Sequence, residues 1–401
     1  MSPTAAPPPA PVLAPEPAAA PPPEKPAHFF DRISVRGYTQ FRYNQLGATN
    51  DRLVNLQGDR SVGQDAGILI RRARLVLTGD LHPQVQMYLQ PDFAASAGDT
   101  LHVAQLRDWY FDLALDEQKM FRFRVGQSKV PFGFENMQSS QNRLPMDRSD
   151  ALNSALAGER DLGVFFYYAP PEIRKRFKHL VESGLKGSGD YGLVALGVYE
   201  GQTINQADTN TNKHVVGRIT YPFLFGEQIV EVGVSGYTGK FVVRTDEGVT
   251  APDDVRDARG ALSLTVYPQP IGFQAEYNLG VGPELTNAAT VTDDAGEETF
   301  TGEVERKKLH GGYALVSLKL DELVPGTLIP FARVMNYEGG KKHERNAPRY
   351  SVRELEAGVE WQIIKPVEFT AAYTIARRTD GRAPYELERG SLIRMQLQIN
   401  Y

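Results

Sequence analysis

The sequence predicts an antiparallel β-barrel that crosses a membrane. Three observations carry that expectation: a closing segment that alternates apolar and polar residues, the return of that alternation along most of the chain, and a regular exchange of long and short connections. The closing segment 391–401 places Ile393, Met395, Leu397, Ile399 and Tyr401 on one face and Arg394, Gln396, Gln398 and Asn400 on the other. A strand has period two, so this is one strand with a side for lipid and a side for water. A single such strand would also fit a soluble sandwich, where the same aromatics would be core. The number and spacing of the repeats decide.

Candidate strands occur at 33–44, 68–80, 83–93, 103–115, 119–130, 160–169, 191–200, 213–221, 228–239, 258–268, 270–280, 308–320, 328–338, 352–364, 366–377 and 391–401, sixteen in all. In the first, Ile33, Val35, Thr39, Phe41 and Tyr43 oppose Ser34, Arg36, Gln40, Arg42 and Asn44. In the fourth, Trp109, Phe111 and Leu113 oppose Asp108, Tyr110 and Asp112, and in the fifth Phe121, Phe123 and Val125 oppose Arg122 and Arg124. Charges repeatedly sit on the face opposite the aromatics. Most segments are near the roughly 9–11 residues that a tilted strand needs to cross a bilayer.

The connections 45–67, 94–102, 131–159, 201–212, 240–257, 281–307, 339–351 and 378–390 are long, and mostly short turns such as Leu81-His82 and Lys365-Pro366 fall between them. Long outer loops, short periplasmic turns and an even strand count are the layout of a bacterial outer-membrane barrel. One connection breaks the rule. Residues 170–190 are long and basic where a short turn is expected, and read as a solvated surface segment, a short helix or a frayed turn.

Composition narrows the class further. No stretch approaches the roughly 18 consecutive apolar residues of a membrane helix. The chain has no cysteine, which excludes disulfides, thiolate metal sites and a cysteine nucleophile. A net charge of −5 lacks the basic excess of a nucleic-acid binder. Residues 1–28 are Pro/Ala-rich and nearly uncharged, a disordered, extended arm ahead of a barrel domain at 29–401. The arm has neither the charged start nor the apolar run of a signal peptide, so the chain is either a processed form or one whose start lies upstream. The seven histidines form no His-x-x-x-His pair, there is no Gly-x-Ser-x-Gly elbow or phosphate-binding glycine loop, and neither an enzyme, a metal nor a cofactor is expected. Trp109 and Trp361, with Phe41, Phe121, Phe123, Tyr373 and Tyr401, form the interfacial girdle of the barrel reading.

Several segments resemble the phosphate-selective porin O and P family: Arg71-Arg-Ala-Arg-Leu-Val-Leu-Thr-Gly79, Arg124-Val-Gly-Gln-Ser-Lys-Val-Pro-Phe-Gly-Phe-Glu135, Glu159-Arg-Asp-Leu-Gly-Val164, and Pro330-Phe-Ala-Arg-Val-Met-Asn-Tyr-Glu-Gly-Gly340 with Leu355-Glu-Ala-Gly-Val-Glu-Trp361. Glu159 and Asp161 depart from the family's Gly-Arg-Asn-x-Gly-Val pattern. The resemblance implies a sixteen-stranded, usually trimeric outer-membrane channel with its third loop folded into the pore and a preference for anions, phosphate being the implied solute.

Alternation places Arg72, Arg74, Arg122, Arg124, Arg218 and Arg333 on the lumen face, and the loop 131–159 with its flanks adds Lys129, Arg143, Arg148 and Arg160. These are the candidate pore-lining, anion-binding residues, because guanidinium groups keep their charge and match phosphate oxygens. The same face carries as many carboxylates, among them Asp92, Asp108, Asp112, Glu231 and Glu356, so structural pairing competes with a free positive field. The basic excess is expected where Arg72, Arg74, Arg122 and Arg124 approach the root of loop 131–159. The reading is an anion-preferring outer-membrane porin whose partners are small anions, outer-membrane lipid and lipopolysaccharide, and two further copies of itself. A non-selective diffusion porin and a structural barrel tethered through the arm are the alternatives.

Overall fold

The structure, a computed structural model, describes residues 29–48, 67–97, 100–292, 294, 296–380 and 387–401. The arm 1–28 and most of the first outer loop lie outside the described residues. The expected spans all become strands: β1 (Ile33–Ala48), β2 (Gly67–His82), β3 (Val85–Ala97), β4 (Thr100–Ala114), β5 (Phe121–Lys129), β6 (Arg160–Tyr168), β7 (Val194–Tyr199), β8 (His214–Phe225), β9 (Gln228–Phe241), β10 (Val255–Val266), β11 (Ile271–Thr292), β12 (Glu298–Leu318), β13 (Thr327–Gly340), β14 (Arg349–Ile364), β15 (Val367–Asp380) and β16 (Leu387–Asn400). Each pairs antiparallel with the next, and β16 returns to β1 from Tyr38↔Asn400 to Ala48↔Gly390. The chain is a closed sixteen-stranded barrel. Closure leaves no strand edge without a partner, which a hydrocarbon environment requires.

Burial is inverted relative to a soluble fold. Val35, Phe41, Trp109, Phe121, Phe123, Leu196, Ile219 and Leu397 are exposed on the outside, while Arg42, Arg74, Arg124, Glu231 and Glu356 are buried in the lumen. The C-terminal residue closes the seam: the Gly37 amide donates to the Tyr401 carbonyl at 2.6 Å and the Tyr401 amide donates back at 3.0 Å. Gly37 is required there, because a Cβ would run into the Tyr401 ring.

Three connections differ from expectation; in the first, 94–102, the paired strands β3 and β4 run on to Ala97 and from Thr100, so most of the expected loop is strand. The span 281–307, read as an outer loop, is mostly strand: β11 and β12 run for 22 and 21 residues and stay paired as a hairpin out to Thr292↔Glu298. Around its base Phe241, Val249, Val255, Leu285, Val304 and Ala347 form a small apolar cluster that alternation within a single strand does not reveal. The third difference is at 170–190. There, Pro171–Glu182 forms helix α1, with Pro at the first turn where its missing N–H costs nothing. Its apolar face is not solvated: Ile173, Phe177 and Leu180 pack with Phe134, Leu185, Ile229 and Tyr267. Beyond the helix, Lys186 forms an ion pair with Glu360 of β14, eight strands around the barrel from β6, so this segment crosses the periplasmic mouth.

Candidate functional site

The loop 131–159 folds into the barrel, and the motif Val130-Pro-Phe-Gly-Phe-Glu135 makes it turn inward. Phe132 packs edge-on against Tyr237 of β9 at 4.9 Å between ring centres. Gly133 sits at φ +74, and a Cβ there would meet a carboxylate oxygen of Glu276. That close approach lets the Phe134 and Glu135 amides both donate to Glu276 Oε2 at 3.0 Å, while the Gly133 amide donates to Ser235 Oγ at 2.9 Å. Successive amides converging on one carboxylate are a short anion-binding nest built from backbone. Glu135 then bridges the lumen, accepting from Arg333 Nη1 at 3.2 Å and from the Ser149 amide at 2.8 Å.

Two carboxylates of the loop seat it, Asp147 against the strands of the seam and Glu159 at the loop's own root. Asp147 takes Arg42 at 2.9 Å and Arg394 at 2.6 Å, with Arg71 at 3.5 Å and Arg72 at 3.8 Å. Glu159 takes Arg143 at 2.9 Å, Arg148 at 3.3 Å and Lys129 at 3.4 Å, and Arg160 also reaches it. Burial alone would raise the Glu159 carboxyl, but its four cations hold it well below the usual carboxylate range. Between these carboxylates lies the one-and-a-half-turn helix α2 (Asp150–Ala155). Its Asp150 is fully buried with neither carboxyl oxygen meeting a hydrogen-bond donor among the described residues, and burial pushes its pKa up to about 7 against the pull of Lys341 and Arg378.

Above the loop, on the outer side, opens a cavity of about 790 Å³. Among the described residues its walls carry seven basic side chains, Arg71, Arg72, Arg74, Arg107, Arg143, Arg148 and Lys341, and four carboxylates, Asp92, Asp147, Glu159 and Glu344, an excess of three positive charges. The cavity lies where Arg72 and Arg74 meet the loop, and Arg122 and Arg124 do not line it. They stand at the periplasmic end of β5. Arg124 forms a two-pronged pair with Asp112 at 2.7 and 2.8 Å and lies 3.8 Å above the Tyr110 ring, and Arg122 pairs with Asp190 at 2.9 Å. Two strands of separation in sequence order left their height in the barrel unread.

The remaining candidates divide by role. Arg143 and Arg148 line the cavity. Lys129 ties the loop to its root by donating to the carbonyls of Asn136 and Gln138 at 2.9 and 2.6 Å. Arg160 pairs with Asp108 at 2.8 Å, Arg218 with Glu231 at 3.2 Å and Arg333 with Glu356 at 2.7 Å; Arg160 and Arg333 stand behind the wall residues Glu159 and Asp147.

Strict alternation missed Arg71 and Arg107. Both are the extra residue of a β-bulge: Gln40 pairs with Arg72 and Phe41 with Ile70, skipping Arg71, and Gln90 pairs with Asp108 and Pro91 with Leu106, skipping Arg107. A bulge breaks the period-two rule locally and re-aims one side chain. Pro91, which pairs with Leu106 next to the bulge, was the available signal, since proline in a sheet favours bulges and edges.

A closed barrel with an apolar exterior, an in-folded loop and a polar, charged lumen defines an outer-membrane channel. The chain belongs to the phosphate-selective porin O and P family, whose model matches residues 46–401. Among solved structures it is similar to the outer membrane channel DcaP of Acinetobacter baumannii, with 13% identity, TM-score 0.53, and coverage of 92% of this chain and 97% of that one. It is also similar to OmpF of Salmonella typhi solved with daunomycin (11% identity, TM-score 0.53, 92% and 97% covered) and to OprB of Pseudomonas putida (7% identity, TM-score 0.52, 92% and 94% covered). At these identities the likeness concerns the fold. No curated protein matches the chain. The protein is a porin of the bacterial outer membrane.

Proposed function

We propose that this porin passes small hydrophilic solutes by diffusion with a preference for anions, phosphate-like oxyanions being the class that family membership suggests. The observation that carries the preference is the local excess of three positive charges on the outer cavity, in a chain whose total is −5. Charges beyond about 10 Å are largely screened at 0.1 M salt, so an ion entering the cavity responds to its walls and little to the rest of the molecule. Arginine is suited to the task because it stays charged and offers paired donors to oxyanion oxygens. The reading includes a homotrimer, the assembly usual in the family, checked by the mass of the unboiled species.

A second reading, a diffusion porin with little ion preference, is favoured by the pairing of Arg74 with Asp92, Arg124 with Asp112, Arg160 with Asp108 and Arg218 with Glu231. Reversal potentials of single channels in a salt gradient separate the two. An anion-to-cation permeability ratio above one supports the anion pathway, and a ratio at or below one replaces it with the general porin.

A further inference from the structure

The barrel is closed at every seam, but two neighbouring strands part before their outer ends. Pairing between β2 and β3 begins at the turn with His82↔Val85, and its outermost pair is Arg74↔Asp92. Beyond it β2 runs on along β1 to Asn44↔Gly67, and β3 follows β4 to Ala97↔Thr100 through three breaks of register. Bulges bend the strand that carries them. Asp92 fastens the fork: its Oδ1 accepts from the Ala73 amide at 3.2 Å and the Ala94 amide at 3.1 Å, and its Oδ2 accepts from Arg74 Nε at 2.7 Å. A side chain here stands in for the next rung of the ladder.

The fork lies within the apolar belt, since Phe41 and Tyr43 beside it pair with Leu397 and Met395, both exposed outside. Backbone left out of a ladder at that depth is tolerated where it lines a water-filled cavity. The outer cavity reaches it. Its lining includes Phe41, Ile68, Ile70 and Leu101 together with Arg72 and Arg74. Phe41 and Ile68 are exposed on the outside of the barrel, and Ile70, paired with Phe41, faces the same way, whereas Arg72 and Arg74 are buried in the lumen. Residues from both faces of one strand border a single cavity when that cavity passes through the wall. Among the described residues, β2 and β3 therefore frame a window.

The two ends of the window differ in chemistry. The outer end is apolar, and Ala94 and Ala95 of β3 complete its frame. At the lumen end two guanidinium groups rest mainly on neutral acceptors. Arg107 donates to Gln105 Oε1 at 3.1 Å and to the Gly158 carbonyl at 3.0 Å, its Nε meets no acceptor, and it forms no ion pair among the described residues. Arg72 donates to Gln40 Oε1 at 2.7 Å, and its one ion pair among the described residues is the 3.8 Å contact with Asp147.

We propose that the window is a binding site for monocarboxylates that carry an apolar tail. The carboxylate lies on Arg107 and Arg72 in the lumen, and the tail lies between β2 and β3 against Phe41, Ile70 and Leu101. A guanidinium fork matches a carboxylate, and the tail leaves water along the apolar frame. The site rests on the reading of the cavity as the solute path and names a class of anion for it.

The test records KCl current through single full-length channels with acetate, hexanoate or hexanol added on the outer side. Wild type is expected to be half-blocked by hexanoate at about a tenfold lower concentration than by acetate, because its further methylenes are partly removed from water. Hexanol, which has no charge, blocks far more weakly than hexanoate. A95F fills the apolar end of the window and brings hexanoate down to the level of acetate, whereas R107Q weakens both acids by about the same factor. Heat-shifted gel migration shows that the variants are folded. Should A95F not fold, the wild-type order of hexanoate, acetate and hexanol decides alone. Equal block by hexanoate and acetate, equal block by hexanol and hexanoate, or hexanoate block unchanged in either folded variant would overturn the proposal. Failure of the anion preference reads differently: an anion-to-cation ratio at or below one, with block by hexanoate still stronger than by acetate, removes the preference and leaves the site.

Discussion

Replacing Arg71 and Arg107 by Gln removes two charges from the cavity wall while keeping polar side chains in place. For an anion roughly 5 Å from each charge in a water-filled vestibule, the Coulomb energy is about 0.8 kcal/mol per charge at ε near 80. Screening at 0.1 M, with a Debye length of about 10 Å, lowers that to about 0.5 kcal/mol. Two charges give about 1 kcal/mol, or about a fivefold fall in local anion occupancy, and the opposite change for cations. At 1 M salt the Debye length is about 3 Å and the same removal is worth about 0.3 kcal/mol, less than a twofold change. The assay is the reversal potential of single channels in a KCl gradient, centred first near 0.1 M and then near 1 M. The double variant is expected to shift strongly toward cations in the dilute series and weakly in the concentrated one, with R244Q in an outer loop unchanged. An anion-to-cation ratio equal to wild type at 0.1 M would refute the reasoning, because it would mean that permeating ions do not pass these charges. A shift independent of salt would refute the screening argument and point to a change in pore shape.

Other outcomes test separate links. In G133A the new Cβ meets Glu276 at a positive φ, so the loop loses about 1–3 kcal/mol of seating energy; conductance should become noisier while heat-shifted gel migration persists. Asp150 is neutral below about 7 and ionises as pH rises through that value; its proton loss adds a negative charge to the loop beside Lys341, Arg378, Glu354 and Arg333, so anion preference should fall from pH 6 to 8 in wild type and not in D150N. Breaking the buried Lys186–Glu360 pair by E360Q, at a cost of about 3 kcal/mol, should loosen the segment across the periplasmic mouth and raise conductance with little change in reversal potential. Deleting Tyr401, which exchanges two backbone hydrogen bonds with Gly37, should lower the amount inserted far more than the conductance of inserted channels; normal surface levels would count against its role in closing the seam.

The barrel was legible because its rule is local. Alternation within each segment and the rhythm of loop lengths are properties of short windows, and they located all of the strands and their order. The site was legible only in part, because its members are set by heights and crossings that no window contains. Arg72, Arg74, Arg143 and Arg148 could be named from their face and from the loop. Arg122 and Arg124 share that face but stand at the other end of the lumen, and the reading had no measure of height. Arg71 and Arg107 were hidden by bulges, which shift parity by one residue. Helix α1 was misread as solvated because its burial depends on Phe134, Ile229 and Tyr267, brought to it from three distant parts of the chain.

The same accounting explains why an even balance of lumen charges can yield an uneven field. Glu135, Asp147 and Glu159, which would cancel the arginines around them, are the residues that seat the loop. Glu135 takes Arg333, while the other two are shared among several cations, with at least four around Asp147 and four around Glu159. One carboxylate satisfying several guanidinium groups fixes the loop with few negative charges and leaves positive charge over. Lower in the barrel one-to-one pairs occur, as in Arg124 with Asp112 and Arg218 with Glu231. A pore that must be narrowed by a loop and still attract anions is served by this arrangement, in which the contacts that hold the constriction also leave its outer face basic.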